Sequence, residues 1–233
     1  MKSSITIDEL PPDVFGNNFL IPNSPEVLEH PNYVIAMRRL SACLLMRDAG
    51  QIIVLSGPTR IGKSFLTEAI EAANPPAENY SDAVLPLRPI VRIKAINYSD
   101  GSFIDFRQFW KCALLEIKHP FLDEAVMLNG KVLDPKRTST DEYILMFQHA
   151  LKVMQTKYLF IDEAQHFARA KGGKEGAARF FDMLKLFAEE SGCVLILAGA
   201  FPILDVLKDE AQIQSRARHI FMGLSGSRND FQA

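Results

Sequence analysis

The chain predicts a three-layer α/β fold, with a five-stranded, mainly parallel sheet covered by helices on both faces. Short apolar runs at residues 51–56, 90–96, 158–161, 193–198 and 219–222 have strand length, and between them lie longer segments with apolar residues at helical spacing. Near-continuous apolar strands need cover on both faces, which the helical crossovers of a parallel sheet supply. A glycine-rich loop stands directly between the first run and a helical pattern, as strand-loop-helix units require.

Taken in order, residues 1–31 carry prolines at 11, 12, 22, 25 and 31, which break any regular periodicity and predict an extended N-terminal arm. Asn32 is expected to cap a helix with Val34, Ile35, Met37, Leu40, Leu44 and Leu45 on its core side, ending at Asp48-Ala49-Gly50. The first strand leads into the glycine-rich loop and a helix over residues 63–73. After the second strand, Phe103, Phe106, Phe109, Trp110, Ala113, Leu114 and Ile117 share one helical face. That aromatic stripe reads as a face packed on the sheet rather than a platform for stacking bases. Tyr143, Ile144, Phe147, Ala150, Leu151 and Met154 repeat the pattern before the third strand. The expected divisions are the arm at 1–31, a core at 32–224 and a tail at 225–233, with no internal repeats.

Composition narrows the function classes. With 233 residues, 48% of them hydrophobic, the chain can bury one sizeable core. A net charge of −2 gives no global sign of nucleic-acid binding, so any basic surface must be local. Cys43, Cys112 and Cys193 lie far apart without metal-ligand spacing and read as buried thiols of a reducing compartment. No apolar stretch reaches the roughly 18 residues of a membrane span, and Met1-Lys2-Ser3-Ser4 lacks the layout of a signal peptide. The expectation is a cytoplasmic protein with no membrane partner.

The chemistry concentrates in two motifs. Gly57-Pro58-Thr59-Arg60-Ile61-Gly62-Lys63-Ser64 fits the phosphate-binding Gly-x4-Gly-Lys-Ser/Thr pattern. Backbone N–H groups of such a loop face a phosphate, and the following helix presents its positive N-terminal end to the same anion. Residues 57–64, with Phe65, are therefore the expected nucleotide-binding set: Lys63 for the β- and γ-phosphates of ATP and Ser64 as a Mg²⁺ ligand. The run at 158–161 ends in Asp162-Glu163, where Asp162 would hold Mg²⁺ through its water shell and Glu163 would activate the attacking water. That carboxylate favours hydrolysis over phosphoryl transfer to a metabolite, which a small-molecule kinase would perform. Near the C-terminus, Arg216, and less so Arg218, stands where an arginine from one subunit could reach the γ-phosphate held by another.

Together, residues 53–64, 159–167, 195–204 and 214–219 resemble the AAA+ ATPases of transposition, the TniB/TnsC group related to MuB. The resemblance covers about residues 30–224. It implies an AAA+ core with strand order 5-1-4-3-2 and ATP as ligand. It also implies ring or filament homo-oligomers on duplex DNA, recruitment of a transposase through a target-selection adaptor, and catalytic roles for Lys63, Glu163 and Arg216. Two departures stand out. Gly199-Ala200 occupies the place after the fourth strand where such proteins carry a polar sensor, implying slow hydrolysis, and the small helical lid is expected to be missing. Asn97 is a candidate to polarise Glu163 from the second strand.

Two segments are locally basic: residues 129–140, net +2, with Lys131, Lys136, Arg137 and Thr138, and residues 166–179, net +3, with Arg169, Lys171, Lys174 and Arg179. Either can be an ordinary solvated face, and Gly172-Gly173 suggests a flexible loop in the second. As DNA contacts they would touch phosphates without reading sequence. The competing reading is a nucleotide-gated protein-interaction ATPase, of a secretion or signalling kind, that never meets DNA.

Overall fold

The structure, a computed structural model, describes residues 31–46, 50–77, 85–95, 104–122, 126–128, 131–133, 138–170, 172–208 and 217–223. The expected arm before residue 31 and the tail after residue 224 lie outside them. Helix α1 (Pro31–Leu45) leads to strand β1 (Ile52–Ser56), helix α2 (Lys63–Ala73) and strand β2 (Ile90–Lys94). Helix α3 (Phe106–Glu116) is followed by a short hairpin, β3 (Val126–Leu128) with β4 (Lys131–Leu133), and by α4 (Thr140–Val153). Strand β5 (Tyr158–Asp162), α5 (Gly173–Ser191), β6 (Val194–Gly199), α6 (Pro202–Lys208) and β7 (Ala217–Phe221) complete the series.

The main sheet has the order β2-β5-β6-β1-β7 and is parallel throughout. Counting only its own strands, this is the expected 5-1-4-3-2. Its central strands are buried on both faces because alternate residues enter opposite cores. Ile52 and Val54 join Leu159, Ile161, Leu195 and Leu197 under α3, α4 and α5, while Ile53 and Leu55 join Phe160, Ile196 and Ala198 under α1 and α2. Each buried Leu- or Phe-sized side chain contributes about 2 kcal/mol, so the sheet is a rigid platform for the loops at its C-terminal edge.

The first core is an aromatic cluster. Phe109 and Trp110 of α3 meet Phe180 and Phe187 of α5, with Trp110 and Phe187 centroids 5.3 Å apart. Phe167, just beyond β5, packs on Phe180 at 4.4 Å and on Phe109 at 5.4 Å. The stripe from Phe106 to Ile117 is therefore core, as its spacing indicated, while Phe103 lies outside the described residues. Asp105 caps α3 through its carboxylate, which accepts from the Gln108 N–H at 3.1 Å, and Ser139 with Glu142 forms a reciprocal capping box on α4.

Several expectations are corrected. Asn32 is not a cap, because α1 already begins at Pro31, whose fixed φ suits a first helical position. The Asn32 side chain instead donates to the Gly223 carbonyl at 2.8 Å, joining α1 to the segment after β7. The buried face of α1 is Tyr33, Ala36, Met37, Leu40, Ser41 and Leu44, while Ile35 is 46% exposed. Strand β2 ends at Lys94, short of Ile96. Residues 164–169 form a 3-10 helix and Gly173 opens the 19-residue α5, so most of the described residues of this basic segment are helical where a flexible loop was expected. Gly172 makes the connection in the left-handed region, at φ 95°.

His119, in the turn after α3, yields a pH prediction. Burial, assisted by the neighbouring positive charge of His149, pushes its pKa down from 6.5 to about 4. The unfolded chain takes up this proton near pH 6.5 and the folded chain only near pH 4. Stability from the neutral imidazole is thus present above pH 6.5 and lost as the pH falls toward 4. Because solvent reaches part of the ring and screens it, thermal unfolding should show only part of the full shift, a loss on the order of 2 kcal/mol across that window, and His119→Gln should flatten it.

Candidate functional site

The loop between β1 and α2 is held at three points. Gly57 N–H donates to the Gly199 carbonyl at 3.3 Å, tying the loop to the end of β6. A Cβ at Gly57 would lie 2.5 Å from the Met222 carbonyl oxygen, so only glycine lets β1 and the chain after β7 approach this closely. Tyr33 of α1 packs near Gly62, and its ring lies 5.9 Å from that of Phe65. The first helix thereby backs the loop. Arg60 and Gly62 both adopt positive φ, at 63° and 98°, which curls the loop around its centre. Gly62 caps α2 without any side-chain hydrogen bond. Gly62, lacking a side chain, thus leaves the first N–H groups of α2 without the N-cap hydrogen bond that a Ser, Thr, Asp or Asn would supply.

Lys63 stands at the centre, 9% exposed. Its ammonium donates to the Gly57 carbonyl at 2.9 Å and the Pro58 carbonyl at 2.6 Å. Burial pushes its pKa down, and the negative charges of Glu163 and Asp162 partly restore it. The cation is therefore strapped across the loop by neutral carbonyl partners, within the electrostatic reach of two carboxylates.

Those carboxylates are adjacent in sequence but diverge in space. Asp162 is 3% exposed at the end of β5, where the Ala95 N–H donates to its carbonyl at 2.8 Å and its carboxylate accepts from the Glu163 N–H at 2.9 Å. Glu163 then turns left-handed, at φ 56° and ψ 29°, a conformation that costs a non-glycine residue about 1 kcal/mol or more. The His166 N–H holds the turn by donating to the Glu163 carbonyl at 3.0 Å. The turn swings the Glu163 side chain out of the strand and into an open cavity of about 310 Å³ lined by Thr59, Arg60, Gly62, Lys63, Ser64, Phe65, Glu163, Gln165 and Ala200.

Most of the expected nucleotide set therefore meets in one place. Gly57 and Pro58 act through the carbonyls that hold Lys63, and the buried Asp162 does not line the cavity but accepts from the N–H of Glu163, which does. Ile61 points elsewhere and packs on the core under α1 and α2. Arg216, Asn97, Lys136, Arg137 and Lys171 lie outside the described residues. Of Lys131 and Lys174 only the backbone is described, in β4 and α5. Arg218 is exposed on β7 beside the Met46 sulfur, 3.6 Å away. Thr138 is corrected as a DNA contact: it is 3% exposed, too buried to offer its hydroxyl to an outside phosphate, and its carbonyl accepts from Arg107 Nε at 3.2 Å.

Sequence reasoning missed Gln165 and the part played by Ala200. Gln165 donates from Nε2 to Glu163 Oε2 and accepts at Oε1 from the Ala200 N–H at 2.9 Å. The available signal was an amide two residues after Glu163, in a motif otherwise read only for its acids.

A family model described as an AAA domain matches residues 46–207, which takes in the loop, both carboxylates and four strands of the sheet. The chain belongs to the AAA domain family. Among solved structures, this AAA domain is similar to the Walker-type ATPase of Pyrococcus abyssi, with TM-score 0.56 and 19% identity over 81% of this chain and 52% of that one. It is also similar to the ORC2 protein of Aeropyrum pernix, in its ADPNP and ADP complexes, with TM-score 0.50 and 13% identity over 90% of this chain and 51% of that one. At such identities the likeness is one of fold. The chain spans about half the length of these two proteins, and no curated protein matches it. Among the described residues no helix is long and apolar enough to cross a membrane.

Proposed function

We propose that this AAA domain hydrolyses ATP and uses the bound and spent states to assemble on, and leave, duplex DNA as a regulator of transposition. The observation that carries the ATPase reading is the convergence of Lys63, Ser64 and Glu163 on one cavity, with the buried Asp162 bonded to the Glu163 N–H. Lys63, released from the Gly57 and Pro58 carbonyls, would bind the β- and γ-phosphate oxygens, a stronger charge-assisted pairing than the one it leaves. The uncapped start of α2 would take the remaining phosphate charge. The donor set also fits Mg²⁺: the Ser64 hydroxyl and the Asp162 carboxylate are hard oxygen ligands, few enough to leave room for water and phosphate. When bound, that ion would neutralise charge on the phosphate oxygens.

Glu163, turned into the cavity, would accept a proton from the attacking water. Arg216 of a neighbouring copy would complete the charge on the far side, which makes assembly a condition of turnover. The DNA and transposition parts of the reading are supported by the TniB/TnsC-like motifs and the two basic segments, of which Arg169 and Arg179 are exposed on the surface. The proposed organisation remains an arm at 1–31, a core at 32–224 and a tail at 225–233, with a transposase and a target-selection adaptor as further partners.

The test is electron microscopy and salt-dependent duplex binding at micromolar protein. With ATP the parental chain should form rings or filaments on DNA, ADP should support fewer, and Lys136→Ala with Arg137→Ala should weaken binding about tenfold and lessen its salt dependence. ATP turnover with no duplex binding at any salt would replace this reading with a nucleotide-gated protein-interaction ATPase.

A further inference from the structure

We infer that Gln165 is the positioning residue for Glu163, relaying the state of the phosphate-binding loop to it through the end of β6. The inference rests on the proposal above that Glu163 activates water. It starts from a side-chain amide satisfied at both ends by groups of the same cavity: Nε2 on Glu163 Oε2 and Oε1 on the Ala200 N–H. The reversed amide would set its NH₂ against the Ala200 N–H and its oxygen against the carboxylate, two repulsive contacts, so the partners fix the orientation.

The surroundings are shaped to this bond. A Cβ at Gly199 would lie 2.7 Å from Gln165 Oε1 and 3.0 Å from its backbone N, so the absence of a side chain there leaves the amide its place. Phe167, two residues on, is fully buried in the aromatic cluster and anchors the turn that carries Gln165. Gly57 N–H meets the Gly199 carbonyl on the other side. A continuous path therefore runs from the first residue of the loop through Gly199-Ala200 and Gln165 to the Glu163 carboxylate. A displacement of the loop on filling moves the acceptor at 199, the donor at 200 and, with them, the amide. Residues 199 and 200 have no polar side chain of their own to face the cavity, and Gln165 brings one there from the 3-10 helix that follows β5.

An exposed glutamate has several open rotamers, and the amide selects one of them. Its loss therefore lowers turnover without weakening binding. With duplex present, Gln165→Ala and the similarly long Gln165→Met should each reduce kcat about tenfold while KM and the affinity for a fluorescent ATP analogue stay within about twofold. Gln165→Glu sets an ionised carboxyl against Glu163 and should be slower still near pH 8.

Glu163→Gln is measured alongside. If it keeps parental turnover, the reading of Glu163 fails and takes this inference with it. If it abolishes turnover while Gln165→Ala and Gln165→Met keep parental kcat, the inference alone is overturned. Nucleotide affinity lost in step with kcat in both Gln165 variants also overturns it, since that pattern marks a merely structural role.

Discussion

Lys63→Ala weakens ATP binding by about a hundredfold or more, to the point of no measurable saturation at millimolar nucleotide. The ammonium is buried and its present partners are two neutral carbonyls 2.9 and 2.6 Å away, so most of its charge is unspent until phosphate arrives. A hydrogen bond to a charged partner is worth roughly 1.5–3 kcal/mol. Lys63 would make more than one of them, in a site where burial has already removed competing water. Lys63→Arg is expected to fail as well, because a planar fork cannot take the place of a compact ammonium held between adjacent carbonyls. Equilibrium titration with a fluorescent ATP analogue measures both variants, and a thermal melt close to the parental one shows that the loop is lost as a site and not as a fold.

Glu163→Gln separates binding from chemistry. Affinity for ATP should stay within about threefold while turnover falls by about a hundredfold to a thousandfold, the usual cost of removing a general base. The amide has nearly the shape of the carboxylate and still offers an oxygen to Gln165 Nε2, so the left-handed turn and the bond to the Asp162 carboxylate need not change. Phosphate release under single-turnover conditions reads the chemical step directly. Parental hydrolysis in this variant would remove Glu163 from the reaction and leave the cavity as a nucleotide-binding switch.

The parts of the fold that sequence made legible are those governed by local rules. The three central strands show themselves because Ile52–Ser56, Tyr158–Asp162 and Val194–Gly199 are buried along their whole length, and β2, at one edge, because Ile90, Val91 and Ile93 are buried beside Arg92 and Lys94. Strand β7, at the other edge, is weaker in sequence because Arg218 and His219 are exposed and of its five residues only Ile220 is buried. The loop was readable for a different reason: phosphate geometry restricts it to particular residue types at fixed spacing. What stayed hidden depends on contacts distant in the chain. The buried face of α1 uses Ala36 and Ser41, small residues that admit close approach to the sheet, while the more hydrophobic Ile35 faces out. Hydrophobicity alone ranks them the other way. Gly172-Gly173 looked like a loop because glycine marks both flexible chain and sharp left-handed turns, and only the packing of Phe180, Phe181 and Leu184 distinguishes them. Gln165 could not be singled out because its meaning lies in Ala200, 35 positions away.

The arrangement that unites these results is the proposed triphosphate site, with the loop over Lys63 on one side and Glu163, beyond β5, on the other. Calorimetric titration of the parental chain with Mg²⁺ and a slowly hydrolysed ATP analogue, with and without linear duplex, addresses it most directly. Saturable heat that disappears in Lys63→Ala is the predicted result. No heat under either condition, or the same heat in both chains, would contradict it.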